Sequence, residues 1–234
     1  MATLLLLRHG RTTSNANGTL AGWQPIELDD AGRAQAEAVA ARLRALPLAQ
    51  VVTSPLIRCR QTVAALDVEP AVDDRLIECG YGDWTGQPLR TLAKDPLWKV
   101  VQQHPSAVVF PGEGGEAMAA MAARAVAAVR DWDAKVTAGH GPDAVWLACS
   151  HGDVIKAIVA DALGLHLDQF QRLVVDPASL TAIRYTPTRP FVIRINDTGG
   201  DLAGLAPPPR HRRRRRKAAE SDAAVGGGVA GGQL

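Results

Sequence analysis

The chain is poor in cysteine, with three residues in 234, at positions 59, 79 and 149. An odd, scattered set cannot pair completely into a disulfide framework and fits reduced thiols. There is no Cys/His set at the spacing of a structural zinc site. No apolar stretch approaches the roughly 20 residues of a membrane span. The first apolar run, Leu4–Leu7, is too short for a signal-peptide core and follows no basic segment. Together these absences are read as a cytoplasmic protein that neither spans a membrane nor holds a structural metal. A large charge excess is also missing. The formal net charge is +2, but Arg210, Arg212–Arg216 and Lys217 lie beyond residue 200, opposed only by Asp201, Glu220 and Asp222. Residues 1–200 therefore carry 19 basic and 21 acidic residues, which excludes a polyanion-binding surface over the whole body. From Val100 to Ala123 there is no Lys or Arg at all.

What is present suits one domain with a small insertion: the length allows a sizeable core, and 47% apolar residues is ordinary for a globular chain. Apolar runs at Thr3–Leu7, Gln50–Thr53, Ala144–Cys149, Ser179–Arg184 and Phe191–Ile195 read as strands. Helical spacing marks Asp30–Ala45, where Ala36, Val39, Ala40 and Leu43 share a face and Asp29 or Asp30 is the N-cap. Leu56–Leu66, Gly115–Lys135 and Asp153–Leu163 are the other strong helices. The alternation predicts an α/β fold, a three-layer sandwich around a mostly parallel central sheet.

Residues 84–114 break this rhythm with Trp84, Trp98, four prolines and the loop Pro-Gly-Glu-Gly-Gly at 111–115. Leu89–Gln103 reads as a helix within a small helical and loop insertion. The domain is thus expected over 1–200, with 201–234 a disordered, basic, Gly/Ala-rich tail. Two readings of the tail stand: a solvated neutral segment, or weak, salt-dependent contact with a polyanion through 210–217.

The chemistry lies in short motifs at strand ends. Leu-Arg-His-Gly (7–10) follows the first apolar run, and Cys-Ser-His-Gly-Asp (149–153) follows Val145–Ala148. In open α/β sheets, ligands bind at the carboxyl ends of strands. Two imidazoles and an arginine meeting there would suit a dianion such as phosphate. Ser-Pro-Leu-Ile-Arg-Cys-Arg-Gln-Thr (54–62) places Arg58 near a helix N-terminus, whose free N–H groups and dipole also favour anions. Asp153, directly before a helix, reads as a cap rather than an acid.

With Glu-Cys-Gly-Tyr-Gly-Asp-Trp-Thr-Gly (78–86) and the Pro25–Gln35 pattern of Leu28, Gly32 and Gln35, these segments run in order over residues 3 to about 195. The chain resembles the histidine phosphatase superfamily, in the branch similar to cofactor-dependent phosphoglycerate mutase. The resemblance implies catalysis by His9, Glu78, His151, Arg8 and Arg58. His9 would be the nucleophile, forming a phosphohistidine. Arg8, Arg58 and His151 would hold the phosphoryl oxygens, and Glu78 would donate the proton. Asn15 and Tyr81 match family substrate contacts, though Asn15 alone reads equally well as a local Asx turn. The resemblance implies no metal and no cofactor, and a lid at 84–114. A homodimer is only what the family suggests.

Mutases of that branch need further cations for a substrate carboxylate. Cys79 and Leu89 stand where two are expected, with Arg90, Lys94 and Lys99 only approximate substitutes. The reading is therefore a metal-independent hydrolase of small phosphomonoesters, acid phosphatase-like. Phosphoglycerate mutase-type transfer and a non-catalytic phospho-ligand-binding module remain as alternatives. Trp84 and Trp98 read as packing of the insertion or as an apolar wall for a leaving group. Cys59, Cys79 and Cys149 read as small packing residues or as an oxidation-sensitive set.

Overall fold

The computed structural model describes residues 2–200. The basic tail, with the expectations for 201–234 and for polyanion contact through 210–217, lies outside the described residues. In chain order the elements are β1 (Thr3–Arg8), α1 (Thr13–Asn17), α2 (Asp30–Leu43), β2 (Leu48–Thr53), α3 (Ile57–Ala64), β3 (Ala71–Val72), α4 (Leu89–Leu92), α5 (Pro96–Gln103), α6 (Met118–His140), β4 (Val145–Ser150), α7 (Gly152–Ala162), β5 (Leu180–Arg184) and β6 (Phe191–Asp197). Short 3-10 turns stand at Asp74–Leu76, Gly82–Trp84, Pro105–Ala107 and Leu167–Arg172.

The strands form one sheet in the order β3-β2-β4-β1-β5-β6. β3, β2, β4 and β1 run parallel, joined by helical crossovers that parallel pairing requires. β5 is antiparallel to β1 and β6 to β5, so the mostly parallel sheet carries an antiparallel edge. Side chains alternate faces along each strand, and the core divides accordingly. Leu4 and Leu6 of β1, Trp146 and Ala148 of β4 and Ile183 of β5 join one cluster with residues of α6 and α7. Leu5 and Leu7, Leu147 and Cys149, and Leu180 and Ala182 join the other, with residues of α2 and α3. Helices on both faces make the three layers.

Several boundaries differ from those expected. The single helix Leu89–Gln103 is two helices, α4 and α5. Pro96 is the first residue of α5, and Asp95 caps it by accepting from the Leu97 N–H at 2.8 Å. A proline at that position starts a helix because its missing N–H would have no helical partner, but it cannot continue one. α6 begins three residues later than Gly115, because Gly115 and Glu116 bridge to Tyr81 and Gly80. It continues to His140, where Gly141 leaves helical geometry at φ 88°. The two-residue strand β3 was not foreseen; it is too short to show a periodicity. Asp29, not Asp30, caps α2, accepting from the Gly32 N–H at 2.8 Å.

One close approach fixes the loop after β1. A Cβ on Gly32 would lie 1.9 Å from the Arg11 carbonyl oxygen, and one on Gly10 would lie 2.5 Å from that of Gly32. The chain leaving β1 is thereby pressed against the first turn of α2.

Leu6 is fully buried on the central strand. Leu6→Ala is expected to destabilise the fold by about 2–5 kcal/mol, read as a lowered urea midpoint with the slope unchanged. A loss below about 0.5 kcal/mol, the size of a surface substitution, would show that β1 is not the centre of the core.

Candidate active site

Three parallel strands end side by side. Arg8, the last residue of β1, pairs with Ser150, the last of β4, and Thr53 at the end of β2 pairs with Cys149. The ladder runs one step further: the His9 N–H donates to the Ser150 carbonyl at 3.0 Å and the Ser54 N–H to that of Cys149 at 3.0 Å. His9, His151 and Ser54 therefore leave the sheet at one edge. The two imidazoles lie with centroids 5.2 Å apart, tilted by 58°. Ala178 closes the other flank. Its N–H donates to the carbonyls of both Arg8 and His9 at 3.1 Å, and its φ of 57° places it in the left-handed region, a strained setting for a residue with a Cβ.

The His9 ring is oriented by its Nδ1, 2.8 Å from the Gly10 carbonyl oxygen. A carbonyl only accepts, so Nδ1 carries the hydrogen and Nε2 keeps the free lone pair. Burial lowers the pKa of His9 well below its usual value, with the charges of Arg58 and Arg8 adding to the effect. His151 is lowered for the same reasons, so both rings are neutral near pH 7. His151 is held through Nε2, 2.7 Å from Ser54 Oγ and 3.5 Å from Cys59 Sγ. It is also the N-cap residue of α7, yet its side chain makes no cap bond.

Arg8 and Arg58 are buried guanidiniums with donors left over. Arg8 uses Nη1 on the Val175 carbonyl at 2.7 Å, while its Nε and Nη2 have no partner. Arg58, in the first turn of α3, reaches the carbonyls of Gln24 at 3.2 Å and Gly22 at 2.8 Å, and its Nε has none. Buried donors normally find acceptors, and a charged donor without one is costly. These orphan N–H groups mark a place for an oxyanion.

Glu78 stands on an irregular loop and is 4% exposed. Its Oε1 accepts from the Cys79 N–H at 3.0 Å. Burial, then the charge of Asp153, raises its pKa to about 7, against the opposing pull of Arg58, the Cys79 N–H and Arg8. The loop is tied down by Arg124 of α6, a residue the motif reading did not find. All five of its N–H donors are engaged: Nε and one Nη2 hydrogen on Glu116, Nη1 on the carbonyls of Arg75 and Ile77, and the other Nη2 hydrogen on that of Glu78 at 3.0 Å. Glu116 in turn accepts from the Gly80 N–H at 3.1 Å. An arginine in an alanine-rich helix, with a second at Arg130 that serves a surface ion pair, gives no local signal of such a role.

Other expected residues fall differently. Asn15 is half-buried and serves the backbone: its Oδ1 accepts from the Thr12 N–H and hydroxyl, completing a capping box for α1. The Tyr81 hydroxyl is buried and donates to Asp153 Oδ2 at 2.8 Å. Asp153 is not the cap of α7. It is the second residue of the helix, fully buried, with Oδ1 3.9 Å from Lys156 Nζ. Trp84 and Trp98 are both buried, with Trp84 edge-on to Phe110 at 5.4 Å. Cys59, Cys79 and Cys149 are all buried, and burial pushes the thiols of Cys79 and Cys149 up, away from the reactive thiolate. Among the described residues, no group of three or more His, Cys, Asp or Glu side chains is placed to hold a metal.

Anion-ready guanidiniums, a neutral imidazole with a directed lone pair and a carboxyl protonated near neutrality are the equipment of a phosphoryl-transfer enzyme. Residues 4–198 match the profile of the histidine phosphatase superfamily (branch 1), and the chain belongs to that family. Its class is that of the phosphoric monoester hydrolases. It is 32% identical over 179 residues to a glucosyl-3-phosphoglycerate phosphatase of Mycolicibacterium vanbaalenii, covering 71% of this chain and 76% of that one. It is 29% identical over 216 residues to a probable phosphoglycerate mutase GpmB of Yersinia enterocolitica, covering 88% and 95%. The solved structure of a mycobacterial glucosyl-3-phosphoglycerate phosphatase in complex with VO3 superposes with a TM-score of 0.71 at 28% identity, covering 83% and 98%.

The raised pKa of Glu78 has a stability consequence. The folded protein retains the proton as pH rises from about 4.5 to about 7 while the unfolded chain loses it, so stability falls across that window. Glu78→Gln removes this fall. Relative to the parent, the variant should gain on the order of 3 kcal/mol between pH 5 and pH 8, measured by urea denaturation at both. A difference between the two proteins that does not vary with pH would place the carboxyl in its ordinary range.

Proposed function

We propose that this enzyme hydrolyses a small phosphomonoester in two steps through a phosphohistidine on His9. The observation that carries the reading is the His9 ring itself: Nδ1–H fixed on the Gly10 carbonyl, Nε2 free, the ring neutral and flanked by Arg8 and Arg58 with unpartnered donors. The phosphoryl group is gripped by Arg8 and Arg58, with His151 beside it, and the α7 N-terminus adds a favourable dipole. His9 Nε2 attacks phosphorus, and the ester P–O bond breaks. Glu78, protonated near neutral pH, gives its proton to the departing alkoxide. The same carboxylate then takes a proton from water as the water attacks phosphorus, and the P–N bond breaks to release phosphate. No step calls for a metal or a cofactor.

Tyr81 and Asn15 are assigned indirect roles. Tyr81 anchors Asp153, whose charge adds to burial in keeping Glu78 protonated, and Asn15 shapes the loop after His9 through α1. The 84–114 segment is assigned as the lid. Hydrolysis is favoured over mutase-type transfer because retention of a second phosphoryl group needs additional cations. The segment from Val100 to Ala123 supplies none, and Arg124 is saturated by protein acceptors.

The test is release of phosphate from alkyl and aryl phosphomonoesters with a chelator present, beside His9→Ala. Parent turnover should be indifferent to the chelator and fall at least about 1,000-fold in the variant. Acid quenching should trap phosphate on His9. Chelator-sensitive turnover, or turnover surviving in His9→Ala, would overturn the reading. With a poor leaving group, kcat/KM should decline above about pH 7, as Glu78 loses the proton it must donate. A decline centred near pH 4.5 would remove Glu78 as the acid.

Arg124→Lys replaces the planar fork with a point charge and loosens the Glu78 loop. It should slow an alkyl ester about 10- to 100-fold and p-nitrophenyl phosphate, whose leaving group needs no proton, much less. Equal losses on both would assign Arg124 to general stability alone.

A further inference from the structure

We infer that Trp23 is the leaving-group platform of this site, and that it selects phosphomonoesters whose alcohol carries an uncharged ring, sugar or aryl, over those bearing a carboxylate. The inference rests on the phosphatase reading above and extends it to a substrate class.

The argument starts from how residues 22–24 are held. Arg58 donates to the carbonyls on either side of Trp23, those of Gly22 and Gln24. The Trp23 indole N–H donates to the Glu78 carbonyl at 2.7 Å. Trp23 is therefore strung between the guanidinium that grips phosphate and the residue that protonates the leaving oxygen. That oxygen must lie between phosphorus and the acid, so the rest of the alcohol emerges beside this indole.

The ring is fixed yet open. Its N–H is engaged, and a Cβ on Gly80 would lie 3.0 Å from its Cζ2, so glycine there leaves room for it against the Glu78 loop. Trp23 is nevertheless 45% exposed, whereas Trp84 and Trp98 are at 3% and 5%. A rigid, half-exposed indole costs little further ordering when a flat ligand stacks on it. Sugar C–H faces and aromatic rings present such a surface.

Charge argues against a carboxylate at the same place. Arg124, which reaches the same Glu78 carbonyl as Trp23, has every donor engaged by protein oxygens. Glu116 adds a carboxylate on this side, and the chain from Val100 to Ala123 brings no cation. A carboxylate entering beside Trp23 would be desolvated without a partner.

The experiment compares kcat/KM for phenyl phosphate and glucose 6-phosphate with that for glycerol 2-phosphate, 3-phosphoglycerate and phosphoserine, in the parent, Trp23→Leu and Trp23→Phe. The parent should favour the ring esters over the other three, chiefly through KM. Trp23→Leu should lower the ratio of phenyl phosphate to glycerol 2-phosphate roughly three- to tenfold. Trp23→Phe, which keeps a ring but loses the N–H tie to Glu78, should lower turnover on the alkyl esters and leave that ratio at or above the parent's, never below it. A parent that prefers carboxylate esters, or a ratio unmoved in Trp23→Leu, would overturn the inference while leaving the phosphatase reading intact. Binding of phenylphosphonate against methylphosphonate by calorimetry reads the same preference without turnover. If the parent binds phenylphosphonate more tightly and Trp23→Leu does not, the platform stands even where no ester is hydrolysed. Equal binding in the parent would sink it.

Discussion

The parallel register between β1 and β4 is the constraint on which the site depends. Arg8 opposite Ser150 puts the first residue beyond each strand, His9 and His151, at the same level of the same sheet edge. A slip of one residue would invert the faces of β1, exchanging Leu4 and Leu6 with Leu5 and Leu7 between two differently shaped clusters. The same slip would carry His9 away from His151. Core packing thus enforces the geometry of the site: the burial that fixes the strand also fixes the imidazole one residue past its end.

The second theme is charge held without a partner. Arg8 and Arg58 are buried with idle donors, while Glu78 is buried and keeps its proton. These conditions are mutually consistent. The guanidiniums are not neutralised by Glu78, because burial and the Asp153 charge outweigh their pull on it. A bound phosphoryl group would supply the missing acceptors and, being negative, hold the Glu78 proton more firmly still. A bound phosphoryl group would meet the buried Arg8 and Arg58 donors that no protein group takes, so recognition and activation of the phosphoryl group arise from one electrostatic arrangement.

Much of this was legible in the chain. Strand-terminal His9 and His151, Arg58 in the first turn of a helix, and alternating strand and helix patterns each have a local signature, and the structure brings these residues to one place. The misreadings are just as local in origin. Leu89–Gln103 had continuous helical character, but Pro96 divides it. Asp153 looked like a cap because it precedes a helix, yet burial beneath the site sets it against Tyr81 and Lys156 instead. Asn15 is no misreading: the local turn that the sequence offered for it is formed, with its carbonyl oxygen serving the α1 cap.

The sequence by itself determined the layer order of the fold and the chemical types gathered at its edge, because apolar periodicity and strand-end motifs are properties of neighbouring residues. Only the tertiary structure decided that Glu78 holds its proton near neutrality, and that Arg124 and a half-exposed Trp23 both donate to the Glu78 carbonyl while Trp84 and Trp98 are buried. Those outcomes depend on burial and on partners far apart in the chain, such as Asp153 for Glu78 and Glu78 for Trp23 and Arg124. No window of sequence contains both sides of such a contact.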